Sequence, residues 1–160
     1  MSYGLHVYCA QPLTPSQLAD VMDAIDGLRA DLTNAGPAAS HEIERAVRGK
    51  YDHLARLDGP LCVEAEDLPD AVRAAAVGIT TTYELNCPSS PAVRVRLTNQ
   101  VARGIGKVAQ GVVYDPQEDA VTWPRGGTRK FTASNETLIE VVDLKWYIRR
   151  EDRPDDLPGV

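Results

Sequence analysis

The most constraining feature of this chain is the unbroken alternation of apolar and polar residues between Ile79 and Cys87. The residues on the polar side of this stretch are Thr80, Thr82, Glu84 and Asn86. A period of two residues predicts a strand that buries one face and leaves the other available to solvent or to a partner. Pro88 ends the strand because proline cannot donate to a sheet ladder.

A long amphipathic helix is predicted directly after this strand. Ser90 is the predicted N-cap, Pro91 opens the helix and Gly111 ends it. The apolar stripe of the helix consists of Val93, Leu97, Val101, Ile105 and Val108. Gly104 and Gly106 lie within this helical pattern and not after a strand, so they indicate close packing and not a phosphate-binding loop.

The N-terminal segment predicts a second strand and helix. Residues Tyr3 to Cys9 alternate, which places His6 and Tyr8 on the polar side of a half-buried strand. Thr14 then begins a capping box, and the helical spacing that follows continues to about Leu32.

The remaining elements are predicted from shorter patterns. Helical spacing predicts a second helix from Ser40 to Leu57 and a short helix from Asp67 to Ala76. Short strands are predicted at 61–63, 112–114 and 121–123, and one last strand over 138–148.

This order of elements predicts one α+β domain. Strands that alternate with helices indicate a mainly antiparallel sheet with helices packed on one face, and a ferredoxin-like sandwich is the predicted architecture. We assign residues 1–150 to a single domain and residues 151–160 to a flexible C-terminal tail.

Composition excludes several classes of protein. Of 160 residues, 43% are hydrophobic and 25% are charged, and no apolar run approaches the roughly 20 residues that cross a membrane. Three cysteines without a signal peptide predict reduced thiols in the cytoplasm, buried as small apolar side chains. His6, His41 and His53 lack metal-ligand spacing, so neither a metal nor a cofactor is expected.

Charge is distributed unevenly along the chain. Residues 1–78 hold 6 basic and 12 acidic side chains and carry the whole net charge of −6. Residues 88–114 hold no acidic residue, and Arg96, Arg103 and Lys107 form a basic stripe on the long helix. Such a stripe is compatible with nucleic-acid binding, but a pI near 5.0 argues against a dedicated nucleic-acid binder.

If helices cover one face of the sheet, the polar sides of the strands form an open face. The candidate binding residues on this face are His6, Tyr8, Thr82, Glu84, Asn86, Asp143, Lys145 and Tyr147. We expect a non-enzymatic binding protein whose partner is another protein or a second copy of the chain. The alternatives are an enzyme or small-ligand receptor built on Glu84, Asp143, His6 and Tyr8, and a nucleic-acid-associated regulator.

The segment from Val101 to Trp123 resembles a stretch of small uncharacterised bacterial α+β proteins. The likeness lies in the helix that ends near Gly111 and in the sequences around Val112–Gln117 and Val121–Pro124; residues 144–147 are similar to the same group. Some such proteins accompany toxin systems as immunity-type partners, so the resemblance implies a binding function without a catalytic motif.

Overall fold

A computed structural model describes residues 2–25, 27–32, 38–88, 91–124, 129–132, 137–141 and 145–149, the last three ranges by their backbone. These residues form a mixed α+β fold with one open antiparallel sheet. Its strands are β1 (Tyr3–Cys9), β2 (Leu28–Ala30), β3 (Ser40–Val47), β4 (Lys50–Cys62), β5 (Thr81–Cys87), β6 (Val112–Asp115), β7 (Ala120–Trp123), β8 (Arg129–Thr132), β9 (Thr137–Val141) and β10 (Lys145–Arg149). The helices are α1 (Pro15–Asp23), α2 (Asp70–Ala75) and α3 (Ala92–Ala109), with a 3-10 turn at Ala65–Asp67.

The strand order across the sheet is β10-β9-β8-β7-β6-β1-β5-β4-β3-β2, and every pairing between neighbours is antiparallel. β1 therefore lies inside the sheet and pairs with β5 on one side and β6 on the other. The predicted α+β class and the antiparallel sheet are confirmed.

The first face of the sheet carries the main core. Leu5, Val7 and Cys9 of β1 point to this face and pack with buried residues of α1 and α3, among them Leu18 and Ile105. Their burial removes large apolar side chains from water, and it accounts for the central residues of the two helical stripes read from the sequence. Val93 and Val108, at the two ends of the predicted α3 stripe, are exposed.

The second face is partly covered, which differs from the prediction that all helices pack on one face. α2 and the residues before it place Leu68 and Val72 against Tyr8, Val112 and Val121. This smaller core covers one end of the second face only.

α1 is shorter than predicted. The capping box forms as expected, since Gln17 N donates to Thr14 Oγ1 and Thr14 N donates to Gln17 Oε1. The helix ends at Asp23, and Gly27, at φ +77°, leads into β2. Leu28 is buried in the same core as α1, so the helical spacing of apolar residues continues although the helix does not.

The predicted helix from Ser40 to Leu57 is wrong, because this segment forms the hairpin of β3 and β4. Arg48 and Gly49, both with positive φ, make the two-residue turn that antiparallel hairpins favour. A register shift opposite Ile43 and Glu44 leaves Leu54 as an extra residue in β4, so Leu54 and Ala55 are both buried and the alternation of β4 is disturbed. The apolar residues on the two strands happen to recur at helical spacing.

Residues 138–148 do not form the single strand predicted. The chain pairs β9 with β10 in antiparallel register, so Lys145 lies opposite Val141. Residues 142–144 and the predicted tail, 151–160, lie outside the described residues.

α3 follows its prediction closely. Pro91 is the N-cap, the predicted cap Ser90 lies outside the described residues, and Gln110 ends the helix in the left-handed conformation. The two glycines mark close packing: a Cβ at Gly106 would lie 2.9 Å from Pro124 Cγ, and one at Gly104 would lie 2.8 Å from Val21 Cγ1 of α1. Among the helices that the structure describes, none combines the length and the apolar character that a membrane span requires.

Candidate functional site

The register of β1 with its two neighbours brings several predicted site residues together. His6 lies opposite Glu84 of β5 and opposite Tyr114 of β6. Tyr8 lies opposite Thr82 and Val112 in the same two strands. All these side chains are on the second face, as alternation predicts.

Three aromatic rings form a cluster on this face. The rings of His6 and Tyr8 are stacked, with centroids 5.9 Å apart and an interplanar angle of 15°. The Tyr114 ring lies edge-on to His6 at 6.3 Å and is 6.4 Å from Tyr8. Rings at these separations contact one another favourably and hold the cluster in a defined shape.

Carboxylates frame the ring cluster. Glu84 Oε1 lies 3.8 Å from His6 Nδ1, and Asp119 Oδ1 accepts a 2.7 Å hydrogen bond from the Tyr114 hydroxyl. Burial, together with Asp119, raises the pKa of Tyr114 to about 12. Burial and the charge of Glu84 also raise the pKa of Tyr8. Both phenols are therefore neutral hydrogen-bonding groups at ordinary pH.

The smaller core separates this face into a covered and an uncovered end. Tyr8 and Thr82 are only 6% and 3% exposed beneath α2, so neither offers the open surface that was predicted. His6 and Glu84 keep side-chain exposures of 30% and 38%. The uncovered end therefore carries the accessible groups.

We call this uncovered end the His6 patch and define it by His6, Glu84, Tyr114, Asp58 and Asp119. Asp58 of β4 lies opposite Glu84, which adds a second carboxylate beside Glu84 and one strand further from the histidine. The Asp58 carboxylate accepts a 3.1 Å hydrogen bond from Arg56 Nε. Asn86, the next polar residue along β5, is exposed at the border of the patch.

The geometry of the His6 patch is that of a surface and not of an enclosed reaction centre. At 3.8 Å, the distance between His6 Nδ1 and Glu84 Oε1 exceeds the usual length of a hydrogen bond. The side chains of His6 and Glu84 are 30% and 38% exposed, and neither residue lines the two cavities beside α3. The arrangement can hold a cation between carboxylates and ring faces.

The structure does not bring the C-terminal candidates to this patch. Lys145 and Tyr147 lie on β10, five strands away from β1 in the sheet order, and strands are spaced by about 4.8 Å. The strands β8, β9 and β10 extend the sheet beyond β7 and carry Lys145 and Tyr147 away from β1. The grouping of these two residues with His6 is therefore wrong. Asp143 lies outside the described residues.

The basic stripe is not one continuous exposed surface. Arg96 is exposed and Arg103 is half-buried, and both line a cavity beside Tyr3. Lys107 lies one turn further along α3, outside the lining of that cavity.

The cysteine prediction holds for two of three residues. Cys9 and Cys87 are buried and Cys62 is exposed, so the expectation of burial is wrong for Cys62 at the end of β4. Burial raises the pKa of the Cys9 thiol to about 11, which suppresses its reactivity. In the part of the chain that the structure describes, no three His, Cys, Asp or Glu residues are grouped as metal ligands.

Sequence reasoning missed three members of the patch. Tyr114 alternates with the buried Val113 and could have been assigned to the polar side of its short strand. Asp58 directly follows the segment that was predicted as a helix, and Asp119 lies in a turn. Only the strand order brings these residues to the face that carries His6 and Glu84.

Comparisons with protein-family models, with curated proteins and with solved structures find no match to this chain.

Proposed function

We propose that this chain is a non-enzymatic binding protein that holds a positively charged segment of a partner protein on the His6 patch. The observation that carries the proposal is the half-buried ring pair of His6 and Tyr114, with Glu84 beside His6, Asp119 bound to Tyr114, and Asp58 beside Glu84.

Charge favours a basic partner. The patch holds three carboxylates. One of them, Asp58, forms an ion pair with Arg56. The chain carries a net charge of −6, which attracts basic proteins at a distance as well as in contact. An arginine of the partner can stack on a ring while its guanidinium donates hydrogen bonds to Glu84.

The shape of the patch favours a protein over an enclosed small molecule. Aromatic side chains that are held in place by neighbours give large contact area at a low cost in conformational entropy. The resemblance of residues 101–123 to small uncharacterised bacterial α+β proteins, some of which accompany toxin systems as immunity-type partners, is compatible with the same class of function.

The test is a titration of the protein with a short peptide of alternating arginine and glycine, followed by NMR. We expect amide shifts at His6, Glu84 and Tyr114, and we expect Glu84→Gln to weaken binding about fivefold. Asp20→Asn is the matched control, because it removes the same charge from an exposed position on α1. Equal weakening by both variants, or shifts confined to other surfaces, would contradict the proposal.

A second copy of this chain is the competing occupant of the patch. Sedimentation of the protein alone distinguishes a basic partner from a second copy as the occupant, because a monomer leaves the patch available to a partner. A dimer that Glu84→Arg dissociates would overturn the proposal of a basic partner.

We propose further that the centre of the molecule has ferredoxin-like topology and that the protein is cytoplasmic. The order β6-β1-β5-β4, with α1 after β1 and α3 after β5, supports the topology. On this interpretation β2, β3 and β7–β10 extend the two edges of the sheet. Three free cysteines support a reducing compartment.

A further inference from the structure

A cavity of about 510 Å³ lies on the first face of the sheet, away from the His6 patch. α3 forms one wall, and strands β1, β6 and β7 with the turn between β6 and β7 form the rest. This volume is in the range of pockets that take small molecules. The polar side chains that line it include Tyr3, Arg96, Asn99, Arg103, Asp115 and Glu118.

The two walls carry opposite charges. Arg96 and Arg103 are seven residues apart on α3, so both project from one side of the helix. Asp115 and Glu118 face them from the other wall, at the end of β6 and in the turn that follows. The floor between the walls is apolar and includes Leu5, Val95 and Val113.

The acidic wall is held in place by hydrogen bonds. The side chain of Gln117 accepts from Gly4 N at 2.9 Å and donates to Gly4 O at 2.8 Å, which fastens the turn to β1. Asp115 Oδ1 accepts from the backbone N–H of Gln117 at 2.9 Å. These bonds fix the carboxylate of Asp115 before any ligand enters.

A neutral hydroxyl lies between the two walls. Asn99 Nδ2 donates a 2.9 Å hydrogen bond to the Tyr3 hydroxyl. Burial, with the nearby carboxylates of Asp115 and Glu118, raises the pKa of Tyr3 to about 12. Tyr3 therefore stays protonated, and its hydroxyl links Asn99 of the helix wall to Asp115 of the acidic wall without adding charge to the cavity.

We infer that this cavity binds a small zwitterion, a molecule of the amino-acid class that carries one carboxylate and one ammonium group on an apolar body. The carboxylate faces Arg96 and Arg103, and the ammonium group faces Asp115 and Glu118. The apolar part lies on Leu5, Val95 and Val113. Opposite charges on the two walls favour a ligand that carries both charges over one that carries either alone.

The test compares three compounds that differ only in these groups: phenylalanine, 3-phenylpropionate and phenethylamine. Binding is followed by NMR shifts of the full chain, and phenylalanine is expected to bind at least about fivefold more tightly than the other two. Equal affinity of all three compounds, or tighter binding of the one with a single charge, overturns the inference. So does a lack of shifts around the cavity at millimolar phenylalanine.

Variants assign the two walls separately. Arg96→Gln is expected to weaken phenylalanine about fivefold and to leave phenethylamine unchanged, whereas Glu118→Gln should weaken phenylalanine and leave phenylpropionate unchanged. Lys107→Gln removes the same charge as Arg96→Gln from the same helix outside the cavity, and it should have no effect. Weakening by Lys107→Gln equal to that by Arg96→Gln would overturn the assignment.

Discussion

At the residue scale, Gly111 shows how closely α3 approaches the sheet. A Cβ at this position would lie 2.2 Å from the backbone oxygen of Tyr8 and 3.0 Å from Cys9 Cβ. Both atoms belong to the central strand β1. Neither can rotate away, because the backbone of the strand fixes their positions. Only glycine fits where the helix turns into β6.

We therefore expect Gly111→Ala to lower the free energy of unfolding by about 3 kcal/mol, because the added methyl group displaces the β1 backbone. Urea unfolding followed by circular dichroism measures the change. Gly4→Ala is the control, since its Cβ would meet Asn86 Oδ1 at 3.3 Å and that side chain can move. Equal losses in the two variants would contradict this account.

Single residues were predicted well where a local rule decides their role. Thr14 caps α1 and Gly106 packs against the sheet, as their local sequence indicates. The exposure of Cys62 could not be predicted from its strand-like neighbours, because it depends on Cys62 being the last residue of β4.

At the scale of elements, α1 depends on its N-terminal cap. The helix has nine residues and ends without a basic residue in its last turn, so the reciprocal bonds between Thr14 and Gln17 satisfy backbone donors that would otherwise lack partners.

Thr14→Ala is expected to lower the free energy of unfolding by about 1 kcal/mol, because the backbone N–H of Gln17 loses its acceptor. Thr14→Ser keeps the hydroxyl and should retain most of the stability, and Ser16→Ala, at an exposed position of the same turn, should change little. Thermal unfolding compares the three. A loss in Thr14→Ser as large as that in Thr14→Ala would exclude capping as the cause.

Elements were predicted correctly where one periodicity continues without interruption, as in β5 and α3. The hairpin of β3 and β4 was missed for physical reasons. A register shift interrupts its two-residue period, His41 occupies a buried position without being apolar, and its turn is Arg48-Gly49. Tertiary pairing with β5 then decides the outcome, and no local pattern encodes it.

At the scale of the whole molecule, two tyrosines link stability to alkaline pH. The pKa of Tyr3 and of Tyr114 is raised from 10.0 to about 12, by burial first and by neighbouring carboxylates second. The unfolded chain therefore loses these protons at lower pH than the folded chain. Stability is retained below pH 10 and falls as the pH rises from 10 towards 12.

We expect the free energy of unfolding to fall above about pH 10, by at most about 1.4 kcal/mol per pH unit for each tyrosine and by less where solvent screens the phenolate. Urea unfolding at several alkaline pH values gives the slope. Tyr3→Phe should make the slope shallower, whereas Tyr51→Phe, at an exposed strand position, should not. An unchanged slope in Tyr3→Phe would contradict the assignment.

The overall class could be predicted from the sequence, but the assembly of the patch could not. Alternation placed His6 and Glu84 on one face, and this agrees with their register. The same rule grouped Lys145 with them, because alternation assigns a face and says nothing about position across a sheet of ten strands.

The central place of β1 has a consequence for how the chain folds during synthesis. Its hydrogen-bonding partners are β5, which ends at Cys87, and β6, which ends at Asp115. β1 therefore has no complete pairing until residue 115 has been made. The hairpin of β3 and β4, by contrast, can close as soon as residue 62 is available. Nascent β1 thus exposes both of its edges until β5 has been made, and one edge until β6 follows.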